Sequence, residues 1–403
     1  MAACVFKFLP LRVSLWVSRR IGWMGYYLLP KKRAIVYANL KTAFCLKKSP
    51  FQLRSLTRLV FSNLTQSFIE LLCFPKIKSL GFQHFIQLQG KKNIDQAMCR
   101  GKGVILLAIH SGNWELGNVV NSLIGCPYNV VANEQPKTPQ LDTLLNEYRK
   151  MAGANVIARG EAAKEIIKTL QRNELVGLLL DQGGKDGVPV NFLGKTATMS
   201  SGSIRLALKY GCEICPAWIT RQPDHSHVLE FSPAITLIST GDLEQNIKIN
   251  VQRVVSHFES LLQEHPEEYL WFYKVFKYTV DSQIVILDDG HAGHLSQAQT
   301  TVRELTDVLN KEGKNVKENT ITLDFRTSFV ARIFYLYVFL SKLFFSLRNE
   351  DYLKYFLTDS CYSLLMRVKA DFVISYGSKF EGVNFILSKN HQAKSIILGE
   401  RYV

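Results

Sequence analysis

The sequence has no acidic residue before Glu70, although it is 403 residues long and holds 34 Asp and Glu in all. Twelve Lys and Arg fall within its first 60 residues, so this segment carries most of the formal net charge of +15. The sequence also lacks an unbroken run of about 18 apolar residues, which a clean transmembrane helix would need. The positive charge is therefore an N-terminal feature, and a membrane-spanning segment is not expected.

The basic N-terminal segment is rich in bulky apolar residues. Trp16 and Trp23 are interleaved with Arg19 and Arg20. This pattern predicts a membrane-associating helix over residues 1–30, lying at the bilayer surface with its cations toward anionic lipid. A nucleic-acid-binding arm is the competing interpretation, but alternating bulky apolar residues suit a phosphate-tracking tail poorly. No small-residue cleavage site follows a compact apolar core, so no removed signal peptide is expected.

The eight cysteines are scattered, and a single C-x-x-C is present, formed by Cys212 and Cys215. It lies in a stretch that alternates like a β-strand, and no second pair or histidine partner follows at zinc spacing. We therefore expect reduced core cysteines and no metal site. His225 and His227 are expected to be solvated in a hairpin loop.

The stretch over residues 104–120 carries the chemistry. An apolar run ends on His110 and is followed by turn residues and by Glu115, which predicts a buried parallel strand and then a helix start. Glu115 would stand about one helical turn on, so that its carboxylate reaches back to the imidazole. Because the sequence lacks a Gly-x-Ser-x-Gly elbow, the attacking group would be a substrate hydroxyl activated by His110, which suits acyl transfer to an alcohol. A purely structural pair, a strand-end histidine and an acid at a helix N-terminus, is the alternative.

Strands and helices continue to alternate after this stretch. The predicted elements are strands over residues 129–132, 155–159 and 175–180 and helices over residues 140–151 and 161–171. This order predicts an α/β fold with a mixed, mainly parallel sheet flanked by helices. Functional residues in such folds gather at the carboxyl ends of strands, where His110, Arg159 and Asp181 all stand.

The string HSGNWELGN, residues 110–118, resembles the His-x4-Asp/Glu motif of the bacterial lipid A late acyltransferases, the lauroyl and myristoyl transferases of lipopolysaccharide synthesis. Relatives that acylate phosphatidylinositol mannosides are similar at the same place. The resemblance covers about residues 30–278 and continues through Arg159-Gly160, Asp181-Gln182, Phe192-Leu193-Gly194 and the Trp-rich segment ending at Lys277. Leu180 stands where many members have Pro, and a single aromatic residue precedes Gly194 where many have two. These departures leave the acyl-chain length and the acceptor open.

This resemblance implies a glycerolipid acyltransferase-like domain over residues 31–281, with His110 and Glu115 as its catalytic pair. It implies substrate-binding roles for further residues: Asn113, Trp114, Arg159, Asp181, Gln182, Phe192 and Gly194. Arg159 would bind a phosphate or carboxylate of a substrate, or pair with Asp181. Asp181 and Gln182 would support the site, whereas Phe192 and Gly194 would shape the wall of an acyl or acceptor cleft.

The resemblance also implies a reaction and its setting. A fatty acyl chain would move from an acyl thioester, on acyl carrier protein or coenzyme A, to a hydroxyl of a lipid A precursor, with the thioester as co-substrate and no cofactor. The expected partners are membrane lipid, a glycolipid acceptor and the acyl donor, without nucleic acid, at the cytoplasmic face of the inner membrane. The alternatives are acylation of another glycolipid, such as a phosphatidylinositol mannoside, and a non-catalytic membrane-docked scaffold for the C-terminal segment.

A second, smaller Rossmann-like α/β unit is predicted over residues 282–403. An apolar strand from Gln283 leads into a loop with Gly290 and Gly293 and then into an amphipathic helix, without Gly-x-Gly-x-x-Gly. This opening resembles the mitochondrial-fission-protein-type family, whose fold is related to two-domain glycosyltransferases. About 120 residues suffice for half of such a fold. Residues 327–347 are predicted as a helix, either on the membrane surface or packed in the unit.

Overall fold

The computed structural model describes residues 6, 9–119, 123–132, 139–158, 162–344 and 347–399. The chain divides into two compact units. Unit 1 comprises Met1–Trp23, Val60–Phe192 and Thr198–Leu270, and unit 2 comprises Met24–Leu59, Leu193–Ala197 and Trp271–Val403. This division differs from a simple split near residue 281, because unit 2 also takes in helical segments from the N-terminal part of the chain.

Most of the strands that precede residue 232 belong to the main sheet of unit 1. In chain order, the described strands before residue 232 are β1 (Ile86–Gln89), β2 (Val104–Ala108), β3 (Tyr128–Ala132), β4 (Asn155–Ala158), β5 (Leu175–Leu179), β6 (Val188–Phe192), β7 (Lys195–Met199), β8 (Glu213–Arg221) and β9 (His227–Phe231). In the described residues the main sheet has seven strands in the order β1-β9-β8-β2-β5-β3-β4, and β6 and β7 pair with each other. Its neighbouring strands are parallel except for the antiparallel pair of β8 and β9. The predicted mixed, mainly parallel sheet is thus confirmed.

Helices accompany these strands along the chain. They are α1 (Leu11–Leu28), α2 (Pro30–Phe44), α3 (Pro50–Leu72), α4 (Phe74–Leu80), α5 (Lys91–Met98), α6 (Pro139–Met151), α7 (Ala162–Gln171), α8 (Gly202–Tyr210) and α9 (Leu243–Glu264). Strand β2 is central, and its residues 104–107 are buried without polar alternation, as expected for a parallel strand whose two faces are both covered. Cys215 is buried within β8, as the strand-like pattern predicted.

Unit 2 contains a second parallel sheet. Its strands and helices are β10 (Asp281–Asp288), α10 (Ala292–Lys311), β11 (Asn315–Thr322), α11 (Ser328–Leu343), α12 (Asp359–Met366), β12 (Phe372–Tyr376), α13 (Glu381–His391) and β13 (Lys394–Leu398). The strand order is β11-β10-β12-β13, with every pair parallel. The predicted second α/β unit is confirmed at this level, and its kinship with glycosyltransferases stays a prediction.

Two helices expose large apolar side chains. Helix α1 leaves Trp16 57% and Leu28 70% exposed, and α11 buries Phe334 while leaving Phe339 59% and Leu343 60% exposed. None of the described helices combines the length and apolar character that crossing a bilayer requires. Helix α11 therefore packs by one face, and its other face is apolar and open.

A fully buried ion pair joins the two ends of the chain within unit 2. Lys41 of α2 contacts Glu350, which lies in the 3₁₀ helix Glu350–Tyr355, with 2.6 Å between Nζ and Oε1 and no solvent exposure of either side chain. Tyr37 also donates to Glu350, and His391 contacts the other carboxylate oxygen at 2.8 Å. His391 accepts the backbone N–H of Ala370 through Nδ1, so its Nε2–H donates to Glu350. In the described residues, the Glu350 carboxylate is thus bound by Tyr37 and Lys41 from the N-terminal part of unit 2 and by His391 from its C-terminal part.

Removal of one partner of this ion pair leaves the other charge buried and unpaired. We therefore expect Glu350→Gln and Lys41→Met each to lower the free energy of unfolding by about 3 to 5 kcal/mol. Urea denaturation followed by circular dichroism measures this loss. Asp95→Asn, which removes the half-exposed pair of Lys91 and Asp95, is the control, and its cost should be about 0.5 kcal/mol or less. Equal losses for the buried and the exposed pair would contradict the expectation.

Candidate active site

His110 follows the central strand of unit 1 by two residues, at the carboxyl end of the parallel sheet. The turn after His110 is hydrogen-bonded to the segment around residue 269. Leu270 N–H donates to the carbonyl of His110, and Gly112 N–H donates to the carbonyl of Glu268, both at 2.9 Å. Gly112 has φ of +58°, and a Cβ there would lie 2.0 Å from the carbonyl oxygen of Ile219, so the close backbone approach requires glycine.

Asp181 is the hydrogen-bond partner of the histidine. It follows β5, is 3% exposed, and its Oδ1 lies 2.8 Å from His110 Nδ1 and 3.2 Å from the backbone nitrogen of His110. The side chain of Tyr269 also hydrogen-bonds Asp181. An ionised carboxylate can only accept, so Nδ1 carries the proton and Nε2 of the neutral imidazole carries the lone pair. The expected contact from Glu115 to the imidazole is therefore wrong, and Asp181 orients the ring.

The electrostatics of this pair favour its charged form. Burial by itself would lower the pKa of His110, but the charge and hydrogen bond of Asp181, with a further contribution from the charge of Glu115, raise it above its ordinary value. Burial would likewise raise the pKa of Asp181, and the interaction with His110 outweighs this and lowers it. Asp181 therefore stays ionised and stabilises an imidazolium when His110 takes up a proton.

Glu115 forms a separate ion pair. The chain after the turn continues as a short 3₁₀ helix, Leu116–Val119, in which Asn118 donates to Glu115 at 3.0 Å. Arg149 of α6 donates two hydrogen bonds to the Glu115 carboxylate, with distances of 2.7 Å between Nη2 and Oε1 and 3.0 Å between Nε and Oε2. Such a pair fixes the carboxylate in one orientation. Glu115 thus acts on His110 through its charge and not through a contact.

A second buried network lies beside the motif. Glu70 of α3 is fully buried, accepts from Asn113 at 2.8 Å, and is paired with Arg221 and with His227, the latter at 3.2 Å. Burial would raise the pKa of Glu70, but the charges of Arg221 and His227 outweigh it and lower the pKa to about 2. The expectation that His227 is solvated is wrong, because it opens β9 in the interior and has no exposed surface. Asn113 accordingly anchors the motif to α3.

A cavity of about 390 Å³ adjoins the histidine, a volume in the range of small-molecule sites. Its apolar lining comes from the central strands and their neighbours, including Leu106, Ala108, Val130, Leu179, Ile219 and Leu229. Its polar lining includes His110, Ser111, Glu115, Arg149 and Gln182. Within the described part of the chain, the buried Oγ of Ser111 has no hydrogen-bond partner. The cavity therefore places apolar strand residues beside a histidine base and a hydroxyl that has no described partner.

The structure places the predicted substrate-binding residues in different surroundings. Trp114 and Gln182 line the cavity, and the ring of Trp114 packs edge-on against His110 with centroids 5.2 Å apart. Asp181 acts through His110, and Asn113 binds Glu70, so neither lines the cavity. Phe192 packs against Tyr269 and Gly194 lies in the turn between β6 and β7, and neither is a lining residue. Arg159 lies outside the described residues.

Several residues of the site escaped the sequence analysis. Arg149, Arg221 and Tyr269 come from distant elements, and their positions depend on the strand order. Glu70 carried one signal, because it is the first acidic residue of the chain and lies in an otherwise apolar helical segment. A carboxylate in such a position is buried only if cations pair with it.

This site, a histidine base fixed by a carboxylate beside a cavity in a mainly parallel α/β unit, is suited to acyl transfer to a hydroxyl. A family model described as bacterial lipid A biosynthesis acyltransferase matches residues 1–278. The chain belongs to this family.

Curated relatives are similar at low identity. A lipid A biosynthesis acyltransferase of Haemophilus influenzae is 23% identical over 197 residues, which cover 48% of this chain and 60% of that protein. A lipid A biosynthesis palmitoleoyltransferase of Escherichia coli is 22% identical over 274 residues, 67% of this chain and 86% of the relative. A phosphatidylinositol mannoside acyltransferase of Mycobacterium tuberculosis is 28% identical over 132 residues, 32% of this chain and 42% of the relative. The alignment with the Haemophilus protein thus covers less than two thirds of that protein.

The buried carboxyl of Glu268 gives the site a pH-dependent stability. Burial raises its pKa to about 7, with the charges of Glu267 and Glu70 adding and that of Arg221 opposing. The folded state therefore holds a proton that the unfolded state has released between about pH 4.5 and 7, so stability contributed by this group falls as pH rises through that window. Glu268→Gln should be more stable than the parent at pH 8, by roughly 1 to 3 kcal/mol, and nearly equal to it at pH 5.

Thermal unfolding at pH 5 and pH 8 measures this difference. Glu264→Gln is the matched control, because it removes an exposed carboxylate at the end of α9. If Glu268→Gln and Glu264→Gln have the same pH dependence of Tm as the parent, the buried carboxyl does not titrate in this window.

Proposed function

We propose that the protein is a membrane-associated O-acyltransferase that moves a fatty acyl chain from an acyl thioester to a hydroxyl of a lipid A precursor, in lipopolysaccharide biosynthesis. The donor would be acyl carrier protein or coenzyme A, and the first unit would have a glycerolipid acyltransferase-like fold. One observation carries the proposal: His110, with its tautomer fixed by Asp181, lines a cavity of about 390 Å³ whose wall combines apolar strand residues with polar side chains.

In the proposed reaction, Nε2 of His110 takes the proton of the acceptor hydroxyl as its oxygen attacks the thioester carbonyl. Asp181 stabilises the imidazolium that forms. The hydroxyl of Ser111 is available to donate to the oxyanion of the tetrahedral intermediate. The carbon–sulfur bond then breaks, and the leaving thiolate takes the proton from His110. The charge of Glu115 stabilises the imidazolium, and Arg149 holds the Glu115 carboxylate in place.

The N-terminal helix α1 supports a membrane setting. Helix α1 presents exposed Trp and Leu side chains next to exposed Arg19 and Arg20, the composition of a helix that lies at a bilayer interface. The relatives named for lipid A synthesis act on a glycolipid, and an acceptor of this kind would be met at a membrane surface. We therefore place the enzyme at the cytoplasmic face of the inner membrane, with membrane lipid, the glycolipid acceptor and the acyl donor as its partners.

A phosphatidylinositol mannoside is the second candidate acceptor. The observation that favours it is the 28% identity with the mycobacterial mannoside acyltransferase, which exceeds that with either lipid A enzyme named above. That match is shorter, and the lipid A relatives cover more of the chain. A non-catalytic scaffold is the third possibility, and it predicts that the site residues can be replaced without loss of product.

The proposal predicts specific losses of activity. With purified protein in detergent, His110→Ala should lower kcat by about 10²-fold to 10⁴-fold, because the general base is gone. Asp181→Asn should lower kcat by about 10²-fold or more. It should also move the acidic limb of the pH profile to lower pH, because the pKa of His110 falls when its carboxylate partner is removed. His84→Ala, which changes an exposed histidine outside the cavity, is the control.

Product formation from carrier-protein and coenzyme A thioesters, offered with a lipid A precursor or a mannosylated phosphoinositide, distinguishes the donors and the acceptors. Full activity of His110→Ala, or an unmoved pH limb in Asp181→Asn, would overturn the mechanism. Refusal of both acceptors by the folded parent would favour the scaffold.

A further inference from the structure

Unit 2 contains a second cavity, of about 400 Å³, whose described lining shares no residue with that of the acyl-transfer cavity. Six cationic side chains line it: Lys31, Arg33, Arg54, Arg58, Arg348 and Lys389. No acidic side chain is among the described residues that line it. Tyrosines complete much of the remaining wall, including Tyr26, Tyr37 and Tyr352. A cavity with this lining attracts an anion with several acceptor oxygens.

One arginine of the cavity is paired with a carboxylate, and two others lie over an aromatic ring. Arg54 is paired with Asp351 and also donates to Asn349. Arg33 and Arg58 both lie over the ring of Tyr26, each 5.2 Å from its centroid, and a ring quadrupole screens a cation without neutralising it. In the part of the chain that the structure describes, the buried Nε of Arg58 has no hydrogen-bond partner.

The cations also act on one another. Burial lowers the pKa of Arg33; Tyr26 and Tyr27 oppose this shift, and the charges of Arg54 and Arg58 add to it. Burial lowers the pKa of Arg348 as well, with a contribution from the charge of Arg33. Guanidinium groups that repel one another in a partly buried cavity are stabilised when an anion binds between them.

One tyrosine of the cavity lining is hydrogen-bonded to a buried carboxylate. Tyr37 donates to Glu350, whose carboxylate is also held by Lys41 at 2.6 Å and by His391 at 2.8 Å. This carboxylate is fully buried beneath the cavity and is already paired. It therefore fixes Tyr37 in the wall of the cavity.

Exposed apolar side chains adjoin the cationic lining. Leu28 and Leu29, 70% and 51% exposed, come just before Lys31 in the chain. Arg348 donates to the carbonyls of Ser341 and Lys342 in the last turn of α11, the helix whose open face is apolar. A cationic cavity beside apolar surface suits the phosphate of an amphipathic molecule, although a soluble phosphate offers the same oxygens.

We propose that this cavity is a phosphate-binding site, in which Arg33, Arg58 and Arg348 bind the oxygens of a phosphomonoester, phosphodiester or diphosphate. Guanidinium groups match phosphate oxygens bidentately, and three of them can enclose one group from different sides. Lys31 and Lys389, both exposed, attract the anion to the opening. The site lies in unit 2 and does not rest on the acyl-transfer proposal.

The test compares two charge-matched double variants of the full chain in detergent. Arg58→Gln with Arg348→Gln removes two cavity cations, whereas Arg303→Gln with Lys311→Gln removes two exposed cations from α10. Binding of inorganic pyrophosphate is measured by calorimetry. Binding to vesicles of phosphatidylcholine with about one fifth phosphatidylglycerol is measured by flotation, with pure phosphatidylcholine as the reference. The cavity variant should lose about tenfold or more in affinity, and the α10 variant about twofold or less.

The two probes identify the source of the phosphate. Binding to the anionic vesicles that the cavity variant loses, without binding of pyrophosphate, assigns the site to a lipid headgroup. Pyrophosphate binding that the cavity variant loses assigns it to a soluble phosphate. If the arginine variant fails to fold, Lys31→Gln with Lys389→Gln replaces it, because both side chains are exposed, and a loss of about threefold or more is expected. Equal losses in the cavity and α10 variants, or no binding of either probe, would overturn the proposal.

Discussion

The active site depends on one hydrogen bond, between Nδ1 of His110 and the carboxylate of Asp181. This bond exists because β2 and β5 are neighbours in a parallel sheet. Ala108 pairs with Leu179 across the two strands, so the residues two positions further on, His110 and Asp181, emerge side by side at the same edge. The tautomer of the histidine, its raised pKa and the direction of its free lone pair all follow from this register. A shift of one residue between the strands would separate the two side chains.

The same register explains what sequence reasoning could and could not predict. Apolar runs ending in polar residues predicted the strands, the two α/β units and the place of His110 at a strand end, because burial on both faces leaves a clear composition. The sequence pattern also predicted that Asp181 stands at a strand end. It does not show which strands are neighbours in the sheet, and so it does not show that Asp181 lies beside His110. Glu115, five residues from the histidine, was therefore the favoured partner, whereas the carboxylate 71 residues away makes the contact.

His227 shows the converse problem. Its polar neighbours resemble a solvated turn, and the residue itself is fully buried against Glu70, which lies 157 residues earlier in the chain. A charge network of this kind leaves no local periodicity, because each member is a single polar residue in an otherwise ordinary element. Burial of a carboxylate requires cations, but the sequence does not say which ones. The cationic cavity of unit 2 was hidden in the same way, since its arginines come from opposite ends of the chain.

The buried pair of Lys41 and Glu350 also concerns the order in which the chain is made. The two residues are 309 positions apart, so at a translation rate of about 5 to 20 residues per second Lys41 leaves the ribosome roughly 15 to 60 s before its partner. During that interval α2 has no carboxylate to neutralise its inward-facing ammonium, and the lysine must remain hydrated. Unit 1, whose segments all precede residue 271, can fold while the chain is still growing. Unit 2 is completed last, because the strands and helices that follow residue 271 are made after all the segments of unit 1.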